Sequence, residues 1–329
     1  MNKYLGFFRT ISFVLMLSFC IMMLAGCNKG DISPQPATEA PEQGTAKPTQ
    51  EPTPLPSIEP TPEASPERTR RSTLYFSSDE GYTIPVSISI PWETGIAKAC
   101  LNKLVKNEAN RLEFQQQGIV GVIPDGTEIE LNIVEGHAIV NLKHMPTLPD
   151  AEAEQLMFVS IVNTLTEFDS INEVTILLDG KDGRTVNGSA LPSNHAAYRV
   201  NVEQNSVATS GSANAITLYF PNSSGSLNIP VTRFVQGSTD LYSCISELVS
   251  GTDLPNLVSC FPEDTIVLGA TLENGVLRIN LTEDFVAISE TPGLYELAVN
   301  SAMLTAQGFG SVDEVIFYVN GIEYTKNSD

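Results

Sequence analysis

Residues 161–180 read IVNTLTEFDSINEVTILLDG, and a similar phrase returns at residues 300–321 as NSAMLTAQGFGSVDEVIFYVNG. Each phrase begins with the end of an apolar-periodic helix and continues, after a short polar segment, into a strand of mostly apolar residues. Both strands end in a dipeptide that is typical of turns, Asp-Gly in the first phrase and Asn-Gly in the second. The repetition predicts that a whole structural unit occurs twice.

The segments that precede the two phrases follow the same order. In the first half, strands at STLYF and YTIPVSISI precede a helix at TGIAKACLNKLVKNE, a hairpin at IPDGTEIELNIVEGHAIVNL and a long helix that Asp150 can cap. In the second half, AITLYF, LYSCISELVSG, FPEDTIVLGATLENGVLRINL and YELAVNSAMLT take the same places. The sequence therefore predicts an α+β fold of two tandem, duplicated α/β sandwich-like domains.

The boundaries of the two copies follow from the ends of these patterns. The first copy covers residues 73–180, and the second copy covers residues 215–324. Residues 181–214 are polar and rich in Gly and Ser near their end, so we expect a connector whose segment YRVNVE pairs as a short strand with one of the copies. Residues 325–329 are a C-terminal tail.

The two copies align at several positions and differ clearly at one. The aligned pairs are Tyr75 with Tyr219, Phe76 with Phe220, Pro85 with Pro230, Cys100 with Cys244, Pro124 with Pro262, and Asn141 with Asn280. The first copy has LVKNEANRLEFQQQG where the second has only the turn LVSG. This difference predicts an extra polar or helical turn in the first copy, and it leaves open whether both copies bind in the same way.

The first residues have the pattern of an export signal. Lys3 and Arg9 precede an apolar run at residues 11–24, which is short for a membrane span. The run ends in Leu-Ala-Gly-Cys27, which resembles a bacterial lipobox. We therefore predict a lipoprotein signal peptide at residues 1–26, lipidation of Cys27 and an extracytoplasmic location at the cell membrane. The alternative is an anchor helix that is never cut.

Residues 27–72 have the composition of a tether. Ten of the 21 prolines lie between residues 28 and 72, and this segment contains no aromatic residue. Such a segment buries too little apolar surface to offset the entropy of ordering. We expect a disordered, Pro-rich tether that holds the folded part away from the membrane. A Pro-rich ligand for a partner module is the alternative.

The charge of the chain excludes two classes of partner. Lys and Arg number 18, Asp and Glu number 39, and the formal net charge is −21. Phosphate binding needs clustered cations, so we predict no nucleic acid partner. An acidic surface is also repelled by anionic lipid, so attachment to the membrane would depend on the lipid of Cys27.

The histidines indicate no metal site. His137 and His144 flank one strand of the first hairpin at an odd spacing, which places them on opposite faces of an unbroken strand. With His195 they are the only histidines, and we expect all three at the surface. No GxSxG elbow, glycine-rich phosphate loop or calcium-ligand ladder is present in the sequence. We therefore predict no catalytic residues, no cofactor and no enzyme activity.

Three cysteines of the folded part need an interpretation. Cys100 and Cys244 occupy the same helical position on the apolar face, so we expect small buried hydrophobic side chains. Cys260 stands where the first copy has Val122. In an exported chain, a Cys244–Cys260 disulfide is the alternative.

The ordered phrases resemble a known family. TLYF, IPDGTEIELNIVEGHAIVNL and VNTLTEFDSINEVTILLDG in the first copy, with LVSGTDLPNLVSCFPEDTIVLGATLENGVLRINLTEDF and SVDEVIFYVNG in the second, resemble the GerMN domain. The resemblance covers nearly all of both copies. It implies a compact fold similar to the ring-building motif of secretion-system proteins. It also implies a role in spore formation and germination, near the channel complex that joins mother cell and forespore.

Two classes of function fit these observations. The first is a non-enzymatic, membrane-anchored scaffold whose partners are proteins of the sporulation channel or of the cell envelope, with self-association as a further option. The alternative is a cell-wall-associated binding module or an accessory of peptidoglycan hydrolysis. Glycan binding would need exposed aromatic side chains, and the scattered candidates are Trp92, Tyr82, Tyr198 and Tyr242.

Overall fold

A computed structural model of the chain describes residues 69–92, 95–204 and 213–326. Both copies lie in one of the chain's two units, residues 63–329. The predicted signal peptide at residues 1–26 and the predicted lipidation site Cys27 lie outside the described residues. Among the described residues, no helix is both long enough and apolar enough to span a membrane.

Within its described residues, the first copy contains two small sheets and three α-helices. In chain order its elements are β1 (Thr69–Ser78), β2 (Thr83–Pro91), α1 (Ile96–Lys103), α2 (Glu108–Phe114), β3 (Ile119–Val120), β4 (Glu128–Val134), β5 (His137–Lys143), α3 (Ala151–Thr166) and β6 (Glu173–Leu178). The strand orders are β2-β1-β3 and β4-β5-β6. Strands β4 and β5 form the predicted hairpin, and β5 and β6 are parallel.

Among the described residues, the second copy repeats this order without a counterpart of α2 or β3, and it ends in an additional short strand. Its elements are β7 (Asn214–Pro221), β8 (Asn228–Val235), α4 (Leu241–Val249), β9 (Val267–Glu273), β10 (Val276–Leu281), α5 (Leu294–Ala306), β11 (Glu314–Val319) and β12 (Ile322–Glu323). The strand orders are β7-β8 and β12-β11-β10-β9, and β10 and β11 are parallel. The predicted α+β fold of two duplicated copies is thereby confirmed.

The repeated phrase is the second half of a crossover between parallel strands. A parallel pair needs a long connection, usually a helix, and α3 and α5 supply it in the two copies. In the first copy, α3 buries Ile161, Val162 and Leu165, and β6 buries Val174 and Ile176. Strand β6 alternates between buried and half-buried residues, so it faces the core on one side only.

Equivalent hydrogen bonds connect the long helix to the first strand in both copies, α3 to β1 and α5 to β7. The Tyr75 N–H donates to Thr164 Oγ1 over 2.9 Å, and the Tyr219 N–H donates to Thr305 Oγ1 over 3.1 Å. Both threonine side chains are buried. In each copy a buried side chain of the long helix therefore accepts a hydrogen bond from a strand backbone, which fixes where the helix lies on the strand pair.

The Thr164 hydroxyl can be tested by an isosteric change. We expect T164V to lower the free energy of unfolding by about 1–3 kcal/mol, because the Tyr75 N–H is left buried without an acceptor. The matched control is S160A on the same helix, since Ser160 is equally buried and its hydroxyl has no hydrogen-bond partner among the described residues. Urea denaturation of both variants checks the prediction. An equal loss for S160A would contradict it.

The turns and strand ends of the two copies also match. The hairpin turns place Glu135-Gly136 and Asn274-Gly275 at positive φ, as a two-residue hairpin turn requires. The side chains of Asn141 and Asn280 each accept a hydrogen bond of 2.8 Å from the glycine N–H after the closing strand. The aligned asparagines therefore have a structural role, since they hold the turn after the parallel strand.

Two predicted boundaries need correction. Strand β1 begins at Thr69, within the segment predicted as tether, because Thr69–Ser72 pair antiparallel with the end of β2 from Ile88 to Pro91. The adjacent cations Arg70 and Arg71 obscure the strand pattern in the sequence. Strand β7 begins at Asn214, one residue inside the predicted connector.

The extra segment of the first copy forms the helix α2. A helical turn was one of the two forms predicted for it. Asn107 caps α2 by accepting from the Asn110 N–H over 2.9 Å. Phe114, near the end of α2, is buried, and its ring lies 4.8 Å from that of Phe76. The segment therefore adds to the core of the first copy and is not only a surface turn.

Residues 181–204 of the connector are paired with both copies. His195 and Val174 exchange backbone hydrogen bonds of 2.9 Å, which adds a bridge to the edge of β6. Val202, within the segment predicted as a short strand, forms a parallel bridge with Thr232 of β8. The predicted pairing of this segment is thus found, and its strand partner belongs to the second copy.

Candidate functional site

The connector residue Asn201 joins the two copies directly. Its side chain accepts a hydrogen bond from the Thr83 N–H over 2.9 Å and donates to the carbonyls of Thr83 and Pro230 over 2.8 and 2.7 Å. Thr83 begins β2 of the first copy, and Pro230 lies in β8 of the second copy. Asn201 has a φ of 48°, a left-handed conformation that asparagine tolerates better than most residues.

Two further hydrogen bonds cross between the copies. The Tyr82 hydroxyl donates to the Pro255 carbonyl over 2.6 Å, and the Asn222 amide donates to Glu80 Oε1 over 2.9 Å. Burial, with Glu80 nearby, raises the pKa of Tyr82, so its hydroxyl stays protonated and remains a donor. We call these four residues and Asn201, with the backbone of Thr83 and Pro230, the inter-copy seam.

Arg233 organises a second junction, between the connector and the second copy. Its guanidinium forms a bidentate ion pair with Glu203, with Nε–Oε2 and Nη2–Oε1 distances of 2.5 and 2.9 Å. It also donates to the carbonyls of Glu247 and Gly251 and to the Glu247 carboxylate. The exposed fractions of the Arg233 and Glu203 side chains are 11% and 8%. The ion pair is thus largely buried.

The charge state of Glu203 follows from these contacts. Burial favours the neutral acid, but the hydrogen bonds from Arg233 and Thr252 outweigh burial and lower the pKa of Glu203. The Thr252 hydroxyl donates to Glu203 Oε1 over 2.6 Å. Glu203 is therefore a carboxylate that links the connector to β8, to the end of α4 and to the loop after α4.

Different residues donate to the carbonyls at the end of the equivalent helices α1 and α4. The last carbonyls of a helix lack partners within the helix. In the first copy the Asn110 amide donates to the carbonyls of Asn102 and Val105 at the end of α1. In the second copy, which has no counterpart of α2, Arg233 takes this role at the end of α4. The alignment places Ile88 at the position of Arg233 in the first copy.

A cleft of about 970 Å³ opens beside the Arg233 junction. We call it the acidic cleft. Its lining includes five carboxylates, one guanidinium and a set of apolar side chains. The charged residues are Glu203, Arg233, Glu247, Asp253, Glu263 and Asp264, and the apolar residues are Phe234, Val235, Val249, Leu254, Pro255, Phe261 and Pro262.

Three of the carboxylates in the acidic cleft are unpaired. Glu203 and Glu247 pair with Arg233. Within the described ranges, Asp253, Glu263 and Asp264 have no ion pair, and all three are exposed. The cleft therefore presents an excess of negative charge next to apolar surface.

The predicted surface histidines lie at or near the surface of the first copy and the connector. His137 is half-buried and its Nε2 lies 2.8 Å from Thr175 Oγ1, whereas His144 is exposed beyond the end of β5. His195 is half-buried, and its ring stacks on that of Tyr198 with centroids 3.7 Å apart. In the part of the chain that the structure describes, no three His, Cys, Asp or Glu side chains are grouped as metal ligands would be.

The three cysteines among the described residues are free thiols, so the alternative of a Cys244–Cys260 disulfide is wrong. Cys100 and Cys244 are buried in their helices, as predicted. Cys260 is also buried, with its sulfur 3.4 Å from the Ser301 hydroxyl. Burial raises the pKa of Cys244 and Cys260 to about 11, which keeps both thiols protonated and unreactive at neutral pH.

The aromatic candidates for glycan binding lie on different elements. Trp92, at the end of β2, is 64% exposed. Tyr82 belongs to the inter-copy seam, Tyr198 stacks on His195, and the Tyr242 hydroxyl donates to the Val267 carbonyl over 3.2 Å. Three of the four are thus engaged in contacts within the chain.

Sequence reasoning missed both Arg233 and Glu203. One signal was available for Arg233, because it is the single charged residue of β8, NIPVTRFV, in which most neighbours are buried. A charged residue at such a position needs a partner. Nothing in the local pattern identifies that partner, because Glu203 lies 30 residues away in the connector.

Comparisons with known proteins agree with this architecture. The profile of the family Germane, described as Sporulation and spore germination, matches residues 73–184 and 217–325. The Spore germination protein GerM of Bacillus subtilis (strain 168) is 25% identical over 260 residues, which covers 75% of this chain and 71% of that protein.

A solved structure shows the same fold. The tandem GerMN domains of the Bacillus subtilis sporulation protein GerM match with a TM-score of 0.56 at 23% identity, and the match covers 78% of this chain and 92% of that one. The two family matches together span well over half of the chain, one in each copy. The chain therefore belongs to the Germane family of sporulation and spore germination proteins.

Proposed function

We propose that the chain is a non-enzymatic scaffold that assembles or stabilises a protein complex of the forespore envelope. Family membership and the similarity to GerM support the role in sporulation and germination. The scaffold role is carried by one observation, the inter-copy seam around Asn201. The Asn201 side chain hydrogen-bonds to a strand of each copy, which supports a scaffold in which the two copies are held together.

Crosslinked capture from sporulating cells tests the scaffold role. A C-terminally tagged chain replaces the native one, and partners are identified by mass spectrometry after crosslinking. We expect proteins of the sporulation channel or the cell envelope to be recovered with the wild-type chain. We expect fewer with N201G at equal expression, because the seam is weakened. Recovery of wall enzymes alone, or of no partner, would reject the scaffold role.

The membrane anchor is a further part of the proposal and rests on the sequence. We expect C27A to abolish the incorporation of a labelled fatty acid into the chain, because the Cys27 thiol is the predicted acceptor of the acyl chains. The matched control is C20A, a cysteine within the apolar run of the signal, which should still be labelled. Metabolic labelling followed by immunoprecipitation measures the result. Labelling of C27A equal to that of the unchanged chain would overturn the predicted lipidation.

A further inference from the structure

The acidic cleft combines an apolar lining with exposed carboxylates. Val235, Val249 and Phe261 are buried along the cleft, and Leu254 and Pro262 are half-exposed to it. The exposed carboxylates at its border are those of Asp253, Glu263 and Asp264 (the rim carboxylates). Concave sites with an apolar lining and a few placed polar groups are the usual form of binding sites.

The single guanidinium of the cleft does not neutralise the rim. Arg233 donates to Glu203, to Glu247, to two backbone carbonyls and to the Ser250 hydroxyl, over distances of 2.5 to 3.0 Å. Its hydrogen-bonding capacity is used within the chain. Five carboxylates against one guanidinium leave the lining with an excess of four negative charges. An anionic or neutral ligand would leave this charge uncompensated.

The cleft also belongs to a part of the structure that distinguishes the two copies. Val249, Ser250 and Gly251 come from the LVSG turn of the second copy. In the first copy the chain continues at this point into α2, whose Asn110 covers the end of α1. The second copy therefore presents here a surface that the first copy does not repeat.

We propose that the acidic cleft is the docking groove for a basic segment of a partner protein, in which Lys or Arg residues alternate with apolar side chains. This inference rests on the proposed scaffold role and names the chemistry of the partner. The rim carboxylates bind the cationic groups, and the half-exposed side chains of Leu254 and Pro262 contact the apolar side chains. Charge complementarity sets the orientation of the segment and speeds its association.

Fluorescence anisotropy with a defined probe tests the groove. The probe is a short fluorescein-labelled peptide of alternating Lys and Leu, titrated with the full-length chain in detergent. We expect the triple variant D253N/E263Q/D264N to weaken binding about tenfold, since each exposed ion pair contributes a modest amount. Raising the salt from about 0.1 M to about 1 M should also weaken binding, as the Debye length falls from about 10 Å to about 3 Å.

A matched variant separates the effect of the cleft carboxylates on binding from the effect of the overall negative charge of the chain. E283Q/D284N/E290Q removes the same charge from exposed residues of the second copy that do not line the cleft. We expect it to change the affinity by less than about twofold. Equal losses for the two triple variants would overturn the proposal. So would equal binding of a peptide in which Ser replaces Leu, because the apolar lining would then contribute nothing.

Spore assays distinguish failure of this inference from failure of the proposed function. Deletion of the gene is expected to reduce spore formation or germination, and D253N/E263Q/D264N is expected to reproduce a large part of that defect at normal protein level. If deletion causes a defect but D253N/E263Q/D264N is fully active, the docking groove is overturned and the proposed scaffold role is not. Absence of any defect in the deletion strain would overturn the proposed function itself.

Discussion

Replacing Arg233 with alanine is expected to lower the free energy of unfolding by about 3–5 kcal/mol, the range for breaking a buried ion pair on one side. The change removes the bidentate ion pair of Arg233 with the buried Glu203, and it removes the donors to the carbonyls of Glu247 and Gly251. Denaturation of the full chain in urea measures the loss. The matched control is R111A, whose ion pair with Glu108 is exposed, so its loss should change the free energy of unfolding far less than R233A does.

A double variant separates loss of the ion pair from loss of packing. R233M/E203M removes both charges and keeps much of the apolar volume, so we expect it to be at least about 2 kcal/mol more stable than R233A. A double variant as unstable as R233A would mean that the carbonyls at the end of α4, and not the charge pair, determine the loss.

The same ion pair predicts a dependence on pH. The pKa of Glu203 is lower in the folded chain than its ordinary value of 4.5, because Arg233 and Thr252 stabilise the carboxylate more than burial destabilises it. Its contribution to stability is therefore present above pH 4.5 and is lost as the pH falls through the folded pKa. We expect R233A to reduce this part of the acid sensitivity in a series of denaturation curves.

The second large effect is expected at Asn201. The variant N201G keeps a backbone that tolerates positive φ and removes three hydrogen bonds, so we expect a loss of about 3 kcal/mol. N201A adds the strain of a left-handed alanine and should lose about 1 kcal/mol more. Because the lost bonds join the copies, calorimetry should show a broader, less cooperative unfolding transition for both variants.

A second asparagine of the connector provides the control for N201G. Asn194 also has positive φ, at 47°, and its side chain accepts one hydrogen bond of 3.2 Å from Thr175 at an exposed site. We expect N194G to lose less than about 1 kcal/mol, without a change in cooperativity. Equal losses for N194G and N201G would show that the inter-copy seam has no special role in holding the copies together.

The sequence by itself determined the duplication and the secondary structure of each copy. The phrase at residues 161–180 is recognisable because a crossover helix and a parallel strand each have a local period, and a duplicated domain repeats both. The hairpin turn at Glu135-Gly136 was predictable for the same reason, since its backbone conformation depends on the residues of the turn itself. The strand start at Thr69 was missed because its stability comes from pairing with β2.

Only the tertiary structure decided how the copies are joined and where the acidic cleft lies. Asn201 and Thr83 are separated by 118 residues, and Glu203 and Arg233 by 30. A side chain that hydrogen-bonds to a distant backbone, or pairs with a distant charge, leaves no periodic trace in the sequence. Packing determines the partner of such a side chain. A buried polar group needs a hydrogen-bond partner, and the fold decides which donors and acceptors lie near it.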